Sequence, residues 1–446
     1  MRPEVSVIMY VKNGMPYFKR ALESVAAQTL QNIEILVIDG GSTDGTIEYT
    51  KQCRDTDSRI RLLFSEKGSV GAQFNLGVGE AAGEYIGIVE ADDYILPEMY
   101  EKELACAKKY HCDVLRADNM VFFGDGDKEV CLRTKVSNRE GDYNRLICAS
   151  REPENVLIGG SFWTGLYRRT FLIEQDIRMN ESPGAAYQDF GFLFLTGVLA
   201  ERILLIPEAF YCYRKDNPHS SCNRPDRLEM PIAEYDFLEN ELKKRGLWKQ
   251  YKEHFLLWKI RNERWFYFNL EESMKESYIK LLYRDLETLK GGDFTFALLH
   301  NKETELLYEA SKGEEQLGGY LREKDRIWEE SMRKIEENKE IEQKQIYLFG
   351  AGNIGRILQH FLEKQKGILL AYADNGEQLW GKVMNGLKVL RPQDALEDKD
   401  ALFIVCSENY ACEIYKQLRE NGVDQYRIAV CDDMDSCIRF VMKNDR

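Results

Sequence analysis

The sequence predicts two α/β units joined by a helical region, the first built on a doubly wound mixed sheet and the second on a smaller sheet. Three observations carry this. Residues 1–125 alternate short β-branched runs with helix-like stretches, the βαβ pattern of a parallel sheet. Residues 226–290 place apolar side chains at three- and four-residue steps, a helical period. From Gln345 the strand–helix alternation resumes and runs to about Val430.

In the first unit, residues 5–11, 33–38, 60–64, 85–89 and 113–117 read as strands, and residues 16–28, 46–54, 70–82 and 97–110 as helices. Asn13-Gly14 can cap the first helix, and Pro16 suits its first turn. Residues 126–225 are less periodic, with turn clusters and aromatics, as expected where a site is built on loops. Within them, 190–199 reads as an apolar helix and 202–213 as a strand. Residues 300–345 are rich in Glu, Lys, Arg and Gln, with sparse apolar positions such as Leu321, Trp328 and Ile335, and read as a solvated helical connector. In the second unit, 346–349, 368–373, 402–406 and 427–430 read as strands. The expected domains are 1–225, a helical region with connector at 226–343, and 344–446.

With 61 Lys+Arg against 75 Asp+Glu, the net charge is −14. Phosphate backbones need a basic face, so general nucleic-acid binding is excluded. No apolar run approaches the length of a membrane-spanning helix. Met1-Arg2-Pro3-Glu4 leads straight into a strand with no charged and then apolar leader, which predicts a cytoplasmic protein. The 11 cysteines include no Cys-x-x-Cys and read as reduced thiols, not a disulfide frame or zinc site.

Acidic residues gather where strands of the first unit end. Asp39 closes the second strand and Asp44 follows it, in Ile38-Asp39-Gly40-Gly41-Ser42-Thr43-Asp44-Gly45-Thr46; Glu90-Ala91-Asp92-Asp93 closes the fourth. Ligands of open α/β sheets bind at the carboxyl ends of strands. Carboxylates gathered there repel one another unless something positive joins them. A divalent cation, Mn2+ or Mg2+, sharing oxygen ligands with a phosphate, is the simplest such partner. Turn and cap duty is the better account of Asp44. Asp39 and the 90–93 cluster, on two separate strand ends, point to a binding site.

Val5-Ser6-Val7-Ile8-Met9, the run from Asp39 to Thr46, Gly83-Glu84-Tyr85-Ile86 and Glu90-Ala91-Asp92-Asp93 closely resemble, in order and spacing, the inverting glycosyltransferases of family two. These have the GT-A fold and use nucleotide sugars. The resemblance covers about residues 4–220. It implies that Tyr10 and Val11, at the end of the first strand, and Asp39 face the nucleotide base. Glu90 would lie near the ribose and Asp92 would touch the metal, at the two acidic positions of the D-x-D signature. Tyr10-Val11-Lys12-Asn13 replaces Pro-Val-Tyr-Asn, which displaces a base-stacking tyrosine. In Gly71-Ala72-Gln73-Phe74-Asn75, Phe74 stands where many members have Arg; Asn75 is assigned to the donor.

Gly160-Ser161-Phe162-Trp163 and Leu166-Tyr167-Arg168-Arg169 resemble the segment before the acceptor pocket, which assigns Trp163 to the acceptor. Tyr187-Gln188-Asp189-Phe190 stands where the family has Glu-Asp with the catalytic base, so the resemblance implies that Asp189 is the base. A positioned carboxylate can take the proton of an attacking sugar hydroxyl. Gln188 is neutral, so no acid at the preceding position raises the base's pKa by repulsion. The competing role of Asp189 is to cap the apolar helix that follows. The run from Tyr213 to Ser221 resembles a flexible loop that closes over the diphosphate. There His219 is either structural or a metal or phosphate contact, and Arg214 or Lys215 would offset leaving-group charge. The implied reaction is one in-line displacement with inversion. It would move a sugar from a nucleoside-diphosphate sugar, UDP being the family's commonest nucleotide, to a hydroxyl of a glycan or lipid-linked glycan.

From Lys243 to Arg264 the chain carries eight Lys/Arg and two acids, with Trp248, Tyr251, Phe255, Trp258 and Trp265 at helical spacing. Packing against the first unit is the favoured reading; peripheral membrane contact is the other. Gly350-Ala351-Gly352-Asn353-Ile354-Gly355 follows an apolar strand and opens a helix, with Asp374 further on. Glycines there allow close approach of a phosphate to a helix N-terminus, so Gly350, Gly352, Gly355 and Asp374 are a candidate ligand loop of a small Rossmann-like module. Its alternatives are helix–strand packing and homodimerisation. A nucleotide- or dinucleotide-binding sensor or oxidoreductase centred on this module is the competing function for the chain.

Overall fold

The computed structural model describes all residues except 1, 125, 127–128, 138, 153–160, 221–227, 292–293, 337–344, 364–368, 409 and 445–446. Expectations for Gly160, Ser221 and the end of the connector lie outside the described residues. The chain divides into two compact units, Met1–His254 and Phe255–Arg446.

The first unit contains β1 (Val5–Val11), α1 (Phe18–Ala26), β2 (Ile33–Asp39), α2 (Thr46–Thr56), β3 (Ile60–Phe64), α3 (Val70–Glu80), β4 (Tyr85–Ile88), β5 (Tyr94–Ile95), α4 (Met99–Tyr110) and β6 (Val114–Phe123). It continues with β7 (Val130–Thr134), β8 (Leu146–Ile147), β9 (Gly165–Arg168), α5 (Arg169–Glu174), α6 (Asp189–Leu199), β10 (Ile203–Arg214), α7 (Met230–Lys244) and the start of α8 (Trp248–Asn269). Its sheet has the order β3-β2-β1-β4-β9-β6-β10-β5, with β7 on β6 and β8 on β10. β3, β2, β1 and β4 are parallel; β2, β1 and β4 are deeply apolar, as strands covered on both faces must be, while the edge strand β3 is half-buried and exposes Phe64. β9 runs antiparallel between β4 and β6, which makes the sheet mixed.

β6 is twice the length that its apolar run suggests, because Asp118 and Asn119 resemble a turn in sequence. In the fold Asp118 is fully buried and accepts hydrogen bonds from Tyr143 Oη at 2.7 Å and Val136 N at 2.9 Å, so the strand continues into its pairing with β7. In β10 the register shifts around Ile206–Tyr211, where Pro207 has no amide to donate.

The second unit holds the rest of α8, then α9 (Glu272–Thr288), α10 (Asn301–Lys312), α11 (Glu314–Glu336), β11 (Gln345–Phe349), α12 (Asn353–Glu363), β12 (Leu369–Ala373), β13 (Val383–Met384) and β14 (Leu387–Leu390). It ends with α13 (Pro392–Leu396), β15 (Leu402–Cys406), α14 (Ala411–Glu420), β16 (Ile428–Cys431) and α15 (Met434–Asn444). Its sheet order is β13-β14-β12-β11-β15-β16, parallel except for the β13–β14 pair.

The stretch expected as a solvated connector is a packed part of this unit. Leu306, Leu317 and Leu321 are fully buried, Ile335 nearly so, and Ser331 Oγ accepts a hydrogen bond from Val430 N at 2.9 Å. Its apolar stripe is narrow, so composition hid it, yet α11 lies on the edge strand β16 and covers it. The division at 254/255 thus differs from the expected boundaries. Tyr251 and Phe255 of α8 are buried. Among the described residues no helix is long and apolar enough to cross a membrane, and the ten described cysteines are free thiols.

Candidate active site

β1 and β2 end side by side, with Tyr10 beside Ile38 and Val11 beside Asp39. The two loops that follow are tied by side chains. Asn13 N donates to Ser42 Oγ at 2.8 Å, Thr43 N to Asn13 Oδ1 at 2.8 Å, and Met15 N to Asp44 Oδ2 at 2.8 Å. Gln73, reaching from α3, donates to both Val11 O at 3.1 Å and Ile38 O at 2.7 Å. Asp44 serves as a turn residue, accepting from Thr46 N at 3.1 Å, while Gly45 is the N-cap of α2; burial raises the Asp44 pKa, but hydrogen bonds from Thr46 and Met15 outweigh this and lower it. Asp39 differs. Its Oδ1 accepts from the Gly41 and Ser42 amides at 2.7 and 2.8 Å, while Oδ2 is buried with no partner in the protein. An orphaned buried carboxylate oxygen is costly unless a ligand donates to it.

The 90–93 loop leaves β4 beside β1. Tyr10 Oη donates to Glu90 Oε1 at 2.8 Å. Tyr211 Oη, from β10, donates to Asp93 Oδ2 at 2.6 Å and accepts from Glu90 N at 3.0 Å. Arg214 N donates to Asp93 Oδ1 at 2.7 Å, and Asn217 Nδ2 to Asp92 Oδ2 at 2.7 Å. Burial and then the charge of Asp92 push Glu90 up to about 8. Burial raises Asp92, and burial with the charges of Asp92 and Glu90 holds Asp93 far above the usual carboxylate range. Among the described residues, the one cation that acts on this crowded group is Arg214, whose charge lowers Asp92 but does not offset burial. Arg214, almost fully buried, is engaged already: Nε donates to Asp92 O at 3.2 Å, Nη1 meets Asp216 Oδ1 at 3.0 Å, and the guanidinium lies over the Tyr17 and Phe122 rings.

Asp189 is the first residue of α6, and the N-cap is Gln188. Tyr187, just before, takes φ 68°, a left-handed conformation rare for an aromatic residue and the kind of strain found at functional sites. Burial pushes Asp189 up to about 6, and its charge in turn raises Tyr10 and Glu90, so it lies within electrostatic reach of them.

The segment 179–184 leads to α6 and is docked on α3. Asn75 donates to Met179 O at 2.9 Å and accepts from Met179 N at 3.0 Å; Val70 N and Gly184 O pair at 2.9 Å. Gly71 is obligatory there, since a Cβ would lie 1.8 Å from Asn180 O.

The fold thus brings Tyr10, Glu90, Asp92, Asp189 and Arg214 together, with Val11 and Asp39 on the adjoining strand ends. It spends Asn75 on the 179–184 segment. Trp163 is buried in a stack with Tyr211 and Tyr213, at ring-centre distances of 4.1 and 5.0 Å. His219 is exposed and its amide donates to Asn217 Oδ1. Among the described residues no group of three or more His, Cys, Asp or Glu side chains is placed to hold a metal ion by itself. Sequence reasoning missed Tyr211, Asn217 and Glu234. A tyrosine on a strand and a glutamate on a helix carry no local signal, but Asp93 stood within the acidic cluster.

In the second unit, Gly355 serves packing: a Cβ there would meet Gly350 O at 2.3 Å and Tyr372 Cε1 at 3.0 Å. Asp374 Oδ2 accepts from Ala351 N at 3.1 Å, which braces the glycine loop, while Oδ1 accepts from Gly376 N at 2.8 Å in its own turn.

Residues 6–170 match glycosyl transferase family 2, and residues 342–429 match the family described as C2185-like, N-terminal. An uncharacterized glycosyltransferase of Haemophilus influenzae is 30% identical over 195 residues, 43% of this chain and 70% of the relative. The chain belongs to glycosyl transferase family 2. The uncharacterized glycosyltransferase EpsJ of Bacillus subtilis is 27% identical over 242 residues, 52% of this chain. The match spans 66% of EpsJ and 54% of the Escherichia coli relative YibD, so it leaves much of those proteins unmatched. The crystal structure of S. aureus TarS 1-349 shares the fold, with a TM-score of 0.54 at 20% identity, covering 72% of this chain and 91% of that one.

Proposed function

We propose that this family 2 glycosyltransferase moves a sugar with inversion from a UDP-sugar to a hydroxyl of a glycan or lipid-linked glycan. The observation that carries this reading is the gathering of Glu90, Asp92, Asp93 and Asp189 beside an Asp39 with one unpartnered buried oxygen. TarS, which has the same fold, has been crystallised with UDP-GlcNAc. Asp39 Oδ2 would accept from the base, and Tyr10 and Val11 line the end of the strand beside it. Tyr10 holds Glu90 in place near the ribose. Asp189 takes the proton of the attacking hydroxyl; with a pKa of about 6 it is ionised at neutral pH and still a stronger base than a solvated aspartate.

A divalent cation fits this donor set, because the carboxyls are hard oxygen ligands crowded without a free counter-charge. Asp92, with His219 from the 213–220 segment, would hold it, and the diphosphate would complete its shell. Mn2+ or Mg2+ there would neutralise charge on the departing diphosphate. Asn217 orients Asp92, and Arg214 fixes the loop through Asp93.

A thermal-shift screen of UDP, UDP-GlcNAc and other nucleoside-diphosphate sugars, with and without Mn2+, tests the reading. A ligand that binds the folded state raises the melting temperature by an amount that grows with the logarithm of its concentration relative to Kd. A metal-dependent rise with a UDP compound is expected. No rise with any nucleotide would overturn it.

A further inference from the structure

No acid precedes Asp189 in sequence, yet a carboxyl reaches this part of the first unit from α7. Glu234 is fully buried. Its Oε1 accepts from Ser182 Oγ at 2.6 Å and Asn180 Nδ2 at 3.1 Å, while Oε2 is buried with no partner. Ser182 Oγ accepts in turn from Gln188 Nε2 at 3.2 Å. A hydrogen-bonded chain therefore runs from Glu234 through Ser182 to the residue that adjoins Asp189. The next residues along, Phe190 and Tyr235, stack with ring centres 6.0 Å apart, which fixes α6 against α7. A buried acid with one oxygen left over is expensive, and a glutamine could keep the Oε1 contacts without bringing a negative charge beside Asp189.

Resting on the reading of Asp189 as the base, we propose that Glu234 is a positioning residue for sugar transfer. It anchors the 180–184 segment that delivers α6, and its charge, once ionised, strengthens Asp189 as a proton acceptor. The groups around the pair are identifiable. Tyr10, Glu90 and Tyr167 sense Asp189 from β1, the 90–93 loop and β9. Glu181 is engaged by Lys67 and Asn75, Asp176 by Arg178, and Glu241 by Arg245. Burial, with the charge of Asp189 as a lesser contribution, pushes Glu234 up to about 7. Asp189, at about 6, ionises first. As pH rises further Glu234 ionises as well, and repulsion between two buried carboxylates raises the proton affinity of Asp189.

Carboxyl-13C NMR titration of the full chain tests this without any substrate. With labelled aspartate, the Asp189 resonance is identified by its loss in Asp189→Asn. It should show two inflections, near pH 6 and near pH 7. Glu234→Gln should keep the first and abolish the second. Should that variant fail to fold, labelled glutamate gives the reciprocal reading, and the Glu234 midpoint should fall in Asp189→Asn. A single Asp189 inflection unchanged by Glu234→Gln, or a Glu234 midpoint unmoved in Asp189→Asn, overturns the proposal. Failure of the base reading is separate: undiminished sugar transfer by Asp189→Asn would remove it while leaving the titration coupling intact.

Discussion

Gly71→Ala sets two physical effects against each other. On helix propensity alone the change, in the first turn of α3, stabilises by about 1 kcal/mol. The added Cβ, however, would lie 1.8 Å from Asn180 O and 2.8 Å from its carbonyl carbon. Carbon contacts settle near 3.5–4.0 Å, so the facing backbone has to withdraw by roughly 1.5 Å. That withdrawal strains the paired bonds between Asn75 and Met179, the Val70–Gly184 bond and the Gly184–Gly68 bond. Each is worth about 1 kcal/mol, and overpacking adds about 1–3 kcal/mol. With the bonds stretched and about half of their worth lost, and the helix gain deducted, the expected net loss is about 2–4 kcal/mol. Urea unfolding followed by far-UV circular dichroism reads it as a lower midpoint. Because the same segment delivers Asp189, turnover of the UDP-sugar found in the screen should fall in the protein that remains folded. A variant as stable as the parent, or more stable, would refute the reasoning.

Asp92→Asn should lose the Mn2+-dependent part of the UDP thermal shift with little change in melting temperature without ligand; a retained Mn2+ effect assigns the ion elsewhere. Asp189→Asn should bind donor normally and lose about 10²–10⁴ in transfer rate. In the parent, activity should fall as pH drops through about 6, where the base gains its proton; a flat rate across that range counts against it. Glu103 on α4 is fully buried with both oxygens unpartnered, and burial holds its pKa well above the usual carboxylate range. A raised carboxyl pKa means stability present at low pH and lost as pH rises above the unfolded value, so Glu103→Leu should raise the melting temperature most at alkaline pH. Gly355→Ala should destabilise the second unit by about 1–3 kcal/mol while the donor shift persists; loss of that shift would contradict a site confined to the first unit.

The inner strands of the first unit were legible because parallel, doubly covered strands are nearly continuous apolar runs, and residues 5–11 coincide with β1; the edge strand β3, at 60–64, was legible from its apolar residues although it is only half-buried. The acidic cluster was legible because carboxylates at strand ends are unusual. What escaped was whatever depends on partners distant in sequence. Asp118 reads as a turn residue until Tyr143 and Val136 satisfy it. Trp163 and Asn75 suit a ligand site by residue type, yet Tyr211 and Met179 claim them. Glu234 lies 45 positions from Asp189 on an ordinary amphipathic helix, and only the packing of α6 on α7 unites them.

The cross-tied loops after β1 and β2 bear on hydrogen exchange. The amides of Asn13, Gly14, Met15 and Thr43 find their acceptors on side chains of the opposite loop, and Gln73 clasps the two strand ends behind them. Neither loop can open without releasing the other, so these amides should exchange with a common opening free energy instead of a graded series along each loop. A base settling on Asp39 would then meet a surface whose ordering cost was met during folding, and its affinity would not be discounted for fixing those loops.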